Sequence, residues 1–275
     1  MGVIIPVNQE VRRWQGVHLF HFGLSNCSQR VRMMLEEKGI AWTSHYLNIP
    51  RNENLSDWYQ DINPKAVVPT LVHDGVVIVE SNDILYYLNG VFSGPDLLHQ
   101  RGIDVSAVER LLAAADDFQS AVKVLTHEFL FKPATRKSAK NLRYMQRHLR
   151  NKELLAFHQR FSEEGFSAEE LQQAIAKAHS CMAELDRQLA DNEWLAGAEF
   201  SLVDISWIVN VHRLELMRFP LRDFPHVQRW FAAMRARPSY KRALVAFEPL
   251  AVRLFVRSFG YLRSLLRPNL YALRS

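Results

Sequence analysis

The chain has 275 residues, 48% of them hydrophobic and 11% aromatic, which is enough for two packed domains and excludes disordered and fibrous classes. Two cysteines, Cys27 and Cys181, are too few for a secreted disulfide scaffold and fit reduced, cytoplasmic thiols. The net charge of +5 is mild, and no acidic residue follows Glu248 while Arg253, Arg257, Arg263, Arg267 and Arg274 do. The basic balance is therefore read as belonging largely to a tail and not to a nucleic-acid-binding face. The opening MGVIIPVNQEVRRWQGV is too polar for a secretory signal. Pro6 stands where a myristoylation signal has Ser or Thr. No run of about 18 apolar residues offers a membrane span.

In chain order, VHLFHF (17–22) reads as a strand. SQRVRMMLEEKG reads as a helix with Val31, Met34 and Leu35 on the inner face, Glu36, Glu37 and Lys38 toward water, and Gly39 as its stop. TSHYLNI (43–49) is a second strand, and LSDWYQDI a short helical stretch ended by Asn63-Pro64. TLVH (70–73) and VVIV (76–79) flank Asp74-Gly75, a hairpin signal. Ser81 is read as the cap of NDILYYLNGVF. SGPDLLHQRGI (93–103) has the composition of a linker. From Asp104 onward the pattern is helical: one long helix from Asp104 to Leu130, one over ATRKSAKNLRYMQRHLRNKELLAFHQRF, and one over SAEELQQAIAKAHSCMAELDRQLA. SLVDISWIVNVHRLELM follows as an all-round apolar helix with a Ser201–Asp204 capping box, then two short helices broken at Pro238.

Three places carry chemistry. The turn GLSNCS meets the unpaired N–H groups of a helix N-terminus, where a thiolate is stabilised. Plain capping by Ser25, Asn26 and Ser28 explains the same residues, and on position alone it is the stronger reading. Pro69 opens a strand. A cis Val68-Pro69 bond would turn the Val68 N–H and C=O outward to pair with another peptide, whereas a trans edge proline would not. Glu80 and Ser81 could hold an amino group and a carboxylate, or Ser81 could be a cap only. Together the three ask for a small peptide with a thiol, a backbone amide and a free amino-acid end, and glutathione is that molecule.

From about Val17 to Phe247 the chain resembles the glutathione transferase superfamily. SNCSQRVR is similar to the SSCSxRVR signature of the zeta class, NPKAVVPTLVHDGVVIVES to the family's NP…VPxL…ES run, and SLVDIS to its second-domain capping box. The fold this implies is an α/β thioredoxin-like domain (βαβαββα, 17–92), the linker 93–103 and an all-α helical bundle domain (104–247). A 1–16 extension and a basic amphipathic tail (248–275) flank them. The resemblance implies that Ser25 donates to the glutathione sulfur, with Asn26 and then Cys27 as alternatives. It assigns Val68 beside cis-Pro69 to the cysteinyl part and Glu80 with Ser81 to the γ-glutamyl end, and it calls for no metal. Val67 stands where many members carry a polar residue, which puts contacts there in doubt. An electrophile pocket between the domains would draw on Phe118, Val122, His127, Phe129 and Tyr144, each of which also fits packing. Two subgroups come nearer: the bacterial β-etherases of lignin breakdown, on LSDWYQDINPKAVVPTLVHDGVVIVES, and the ganglioside-induced differentiation-associated family, on THEFLFKP and FSLVDISWIVNVHRLELM. The expected protein is a cytoplasmic, dimeric (homo- or hetero-) glutathione-dependent transferase acting on an aromatic electrophile, with β-aryl ether cleavage as the favoured case. The alternatives are a Cys27-based thiol transferase or glutathione lyase, and a non-catalytic subunit. The tail is expected to dock on its own bundle or a partner subunit in preference to a membrane surface.

Overall fold

The computed structural model describes residues 2–131 and 139–250 and, beyond them, Val252, Leu254, Phe255, 258–260 and Tyr271. The chain forms two compact units, Met1–Phe92 with Thr135–Gly165, and Ser93–Ala134 with Phe166–Ser275.

The first unit is built on a mixed sheet in the order β1-β5-β4-β2-β3, comprising β1 (Val3–Ile4), β2 (Val17–His21), β3 (Thr43–Tyr46), β4 (Thr70–His73) and β5 (Val76–Val79). Strands β2 and β3 run parallel and the other pairs antiparallel. Consecutive residues Leu19 and Phe20, Leu71 and Val72, and Val77 and Ile78 are all buried. The central strands β2, β4 and β5 are thus covered on both faces, which is why they read as apolar runs and not as alternation. Asp74 and Gly75 both have positive φ, as the tight hairpin turn requires. A Cβ on Gly75 would lie 2.3 Å from the Arg12 carbonyl oxygen. The segment read as an extension is part of this unit. Val3–Ile4 pair with Val77–Ile78, Gly16 N–H donates to Asp74 Oδ1 at 2.6 Å, and Val11 is fully buried beneath Phe20 and Tyr59. A two-residue strand has no periodicity to detect; its pairing with β5 defines it.

Helices α1 (Asn26–Glu37) and α3 (Ser81–Val91) pack together, and the short α2 (Asp57–Gln60) lies between them in sequence. Val31, Met34 and Leu35 are buried as the spacing predicts, but so is Lys38, whose Nζ donates to the Asn89 carbonyl at 3.3 Å. The long side chain lets an ammonium end on a backbone oxygen although its stem is covered. Arg32 is also fully buried. Its guanidinium donates to the carbonyls of Phe22 (3.2 Å) and Gly23 (2.9 Å) and to His21 Nδ1 (3.2 Å). His21 Nε2–H is then left to donate to Ser44 Oγ at 2.8 Å. Burial first, then the neighbouring Arg32 and His45, push the His21 pKa down to about 3, so its ring is neutral.

The helix expected across 134–161 is two helices, α5 (Ala139–His148) and α6 (Lys152–Glu163). Asn151 breaks it by capping α6, accepting from Leu154 N–H at 3.0 Å. These helices were expected in the helical domain, but they belong to the first unit. Met145, Leu149 and Leu155 bury Leu55 and Ala66, Arg150 bridges Asp57 and Asp61, and Gln60 donates to the His148 carbonyl.

The second unit is helical: α4 (Val105–Thr126), a π-helical turn (His127–Phe131), α7 (Ala168–Ala190), α8 (Leu202–Leu216), α9 (Pro225–Ala236) and α10 (Pro238–Ala243). Helix α4 packs on α7 and α8. Helix α8 is buried from Leu202 to Leu214, and the capping box at its start is present. Asp204 there is fully buried and accepts four hydrogen bonds, from Leu195 N–H, Ser201 N–H, Ser201 Oγ and Trp230 Nε1, at 2.8–3.0 Å. Burial pushes its carboxyl pKa up and the four donors oppose that shift. The tail's arginines lie outside the described residues, but Tyr271 docks on this unit. Its OH donates to the Met217 carbonyl at 2.6 Å and its ring meets Phe129 and Phe219.

Two outcomes follow for stability. Asp204→Ala leaves four donors without an acceptor and should cost about 3 kcal/mol or more in urea unfolding; a loss under about 1 kcal/mol would contradict the geometry. The neutral His21 makes stability full above the unfolded-state pKa of 6.5 and erodes it as pH falls toward about 3. Wild type should therefore lose about 2 kcal/mol more than His21→Gln between pH 7.5 and pH 5. Equal losses would show that His21 takes up its proton in the folded protein.

Candidate functional site

Strand register gathers the three predicted places at one sheet edge. Thr70, the first residue of β4, pairs with Phe20 on one side and Val79 on the other. The chain leaves β2 there into the turn to Ser25, enters β4 there from Val68-Pro69, and leaves β5 there into Glu80-Ser81. All of these residues belong to the first unit.

Ser25 caps α1, its Oγ accepting from Ser28 N–H at 3.3 Å. A hydroxyl has one proton to give, and the Ser25 O–H has no acceptor among the described residues. Ser28 is fully buried and braces the turn, its Oγ accepting from Phe22 N–H at 3.3 Å. Asn26 is buried and Cys27 partly exposed. Cys181 is a partly buried thiol on α7 whose pKa is pushed up to about 11, chiefly by burial.

The Val68–Pro69 peptide is cis. Among the described residues the Val68 N–H and C=O make no hydrogen bond. The loop before it is fixed from below. Val67 C=O accepts from Tyr59 OH (2.6 Å) and Asn63 Nδ2 (3.1 Å), and both donors also contact Thr70 Oγ1. Asn54 Nδ2 donates to the Ala66 carbonyl at 2.7 Å. Burial pushes the Tyr59 pKa up, so the phenol keeps the proton it donates.

Glu80, not Ser81, occupies the N-cap position of α3, at φ 64° and with no side-chain cap. Ser81 is the first helical residue, and its Oγ accepts from Arg30 Nη1 at 2.9 Å. Arg30 is fully buried and also donates to Asn82 Oδ1. The Glu80 carboxylate pairs with Lys65, both side chains being 57% exposed. Arg30, Lys65, Tyr59 and Asn63 were not singled out from sequence. Arg30 and Lys65 lie inside SQRVR and NPKAVVP, where charge next to a cap and a Pro was the available signal.

Of the five residues assigned to an electrophile pocket, four lie in the second unit and Tyr144 in the first. Phe118 and Val122 are core residues of α4, with Phe118 stacked on Trp207 at 5.7 Å. Phe129 is covered by Tyr271 and His127 meets Phe166 edge-on. Tyr144 belongs to the first unit and stacks on His148. Helical spacing aims Phe118 and Val122 at the interior of the second unit and Tyr271 covers Phe129, so packing claims all three. Among the described residues there is no group of three or more His, Cys, Asp or Glu side chains placed to hold a metal ion.

Residues 24–90 match the glutathione S-transferase N-terminal domain and residues 168–233 the glutathione S-transferase C-terminal domain. The tetrachloro-p-hydroquinone reductive dehalogenase of Sphingobium chlorophenolicum is 30% identical, over 83% of this chain and 96% of that one. The ganglioside-induced differentiation-associated protein 1-like 1 of Homo sapiens is 21% identical, over 82% and 73%. The crystal structure of the β-etherase LigF from Sphingobium sp. strain SYK-6 superposes with a TM-score of 0.76 at 26% identity, covering 83% of this chain and 98% of that one. The chain belongs to the glutathione S-transferase family, with a thioredoxin-like first domain and a helical second domain.

Proposed function

We propose that the protein is a glutathione-dependent transferase in which the bound thiolate attacks an electrophilic carbon. The observation that carries this is the convergence at Thr70: a hydroxyl with a proton to give, a cis-Pro loop with open backbone groups, and an exposed charged pair. The Ser25 O–H would donate to the sulfur and favour thiolate over thiol. Val68 N–H and C=O would pair with the cysteinyl peptide. The Lys65–Glu80 pair, being exposed, is worth about 1 kcal/mol or less. A ligand ammonium can therefore take Glu80 and a ligand carboxylate Lys65 at little cost. Buried Arg30 holds Ser81 in place at the first turn of α3, where N–H groups attract a carboxylate.

The favoured substrate class is a β-aryl ether next to a ketone. Thiolate attack forms a C–S bond as the C–O bond breaks, and aryloxide leaves with the electron pair and takes a proton from solvent. The likeness to the β-etherase LigF over most of both chains supports this class. A second reading has Cys27 acting as the nucleophile, in its own right or in reductive chemistry. Its partial exposure at the α1 N-terminus and the reductive dehalogenase relative favour that reading. We further propose a dimer acting in the cytoplasm.

Ultraviolet titration of bound glutathione and turnover of a model β-aryl ether test the assignment. Ser25→Ala should raise the thiol pKa and lower kcat about 100-fold, the size of one lost donor to a reacting anion, while Cys27→Ser keeps both. An unchanged thiol pKa in Ser25→Ala would move the role to Asn26, and collapse of Cys27→Ser with loss of a mixed disulfide in mass spectra would establish the second reading.

A further inference from the structure

Between Lys132 and Lys152 the sequence holds eight Lys or Arg residues and no Asp or Glu. This exceeds both the tail's five arginines and the net charge of the whole chain, so assigning the basic balance to the tail was incomplete. The described part of this stretch is α5 and the turn after it. One side of α5 is apolar and buried, through Met145 beside Leu55 and Ala66. The other side exposes Lys140, Arg143, Tyr144 and Arg147, which fall at i, i+3, i+4 and i+7 and so share one helical face. Arg150 is neutralised by Asp57 and Asp61. Lys140, Arg143 and Arg147 have no carboxylate partner among the described residues. Three cations thus stand within about 10 Å along one helix, none paired with a carboxylate among the described residues.

We propose that this face of α5 docks the protein peripherally on an anionic phospholipid surface. Charge of one sign at this density attracts an anionic partner. One observation favours lipid over nucleic acid. Tyr144 is 43% exposed in the middle of the cationic face, with one side of its ring stacked on His148 at 4.2 Å. The free side is an apolar ring with a polar tip, which suits a headgroup layer. A lipid surface accepts cations and such a ring together. Among the described residues no helix is long and apolar enough to cross a membrane. The inference is independent of the catalytic reading.

Full-length protein is co-sedimented with vesicles of phosphatidylcholine alone or mixed with phosphatidylglycerol. Binding is expected only to the anionic vesicles, weakening as salt rises. A basic residue near such a surface contributes about fivefold in partitioning. Together Lys140→Gln, Arg143→Gln and Arg147→Gln should therefore weaken binding on the order of a hundredfold, with melting temperature and glutathione binding unchanged. Equal binding to both vesicle types overturns the proposal. So does full binding by the triple variant, including the case where Leu254→Ser with Phe255→Ser abolishes it and the contact belongs to the tail. Salt-sensitive retention on single-stranded RNA without vesicle binding assigns the face to nucleic acid.

Discussion

The first unit depends on how Thr70 is held. Its backbone joins β2 to β5, and its hydroxyl meets Tyr59 and Asn63, which also hold the carbonyl of Val67. Every group in this knot is satisfied, so the loop ahead of the cis peptide has few alternatives. The turn at Ser25, the Val68 peptide and the start of α3 therefore keep their positions through backbone register, not through contacts among themselves. A site assembled this way is preorganised before any ligand arrives.

Electrostatics reinforce that arrangement. Two fully buried guanidiniums, Arg30 and Arg32, lie on α1 one turn inside the candidate site. Their acceptors include Ser81 and Asn82 for the first, and two carbonyls and an imidazole for the second. The N-terminal ends of α1 and α3 carry positive partial charge. This edge of the sheet favours anions in general, and a thiolate is one of them.

The fold was legible where periodicity and turn chemistry agree. The strands of β2, β4 and β5, the Asp74-Gly75 turn and the Ser201–Asp204 box could all be read in advance. The candidate site was legible as three short motifs because each combines a cap or a proline with a neighbouring polar residue. What escaped detection had no local signature. Val3–Ile4 is a strand only by virtue of β5. Lys38, Arg30 and Arg32 look like solvent-facing charges on a helix and become buried because acceptors distant in sequence receive them. Phe118 and Val122 on α4, and Phe129 in the turn after it, show the opposite error, since aromatic and apolar residues fit a pocket as well as a core until their packing partners, Trp207 for Phe118 and Tyr271 for Phe129, are known. The charge cluster around α5 is plain in composition, but its lysines and arginines are interleaved with the residues of an amphipathic helix, whereas the tail's arginines stand in a stretch with no acidic residue up to the last residue.

The packing of α5 and α6 against Leu55 and Ala66 has a consequence for biosynthesis. The first unit is not continuous in the chain, because Ser93–Ala134, which belongs to the second, emerges before the helices that complete it. On a ribosome the sheet and the cis-proline loop are made early, yet their cover over residues 55 and 66 arrives only with residues 145–155. Closing that long loop slows assembly, and meanwhile the nascent sheet presents an apolar patch to its surroundings. Severing the chain within 93–103 would not release two independently complete domains.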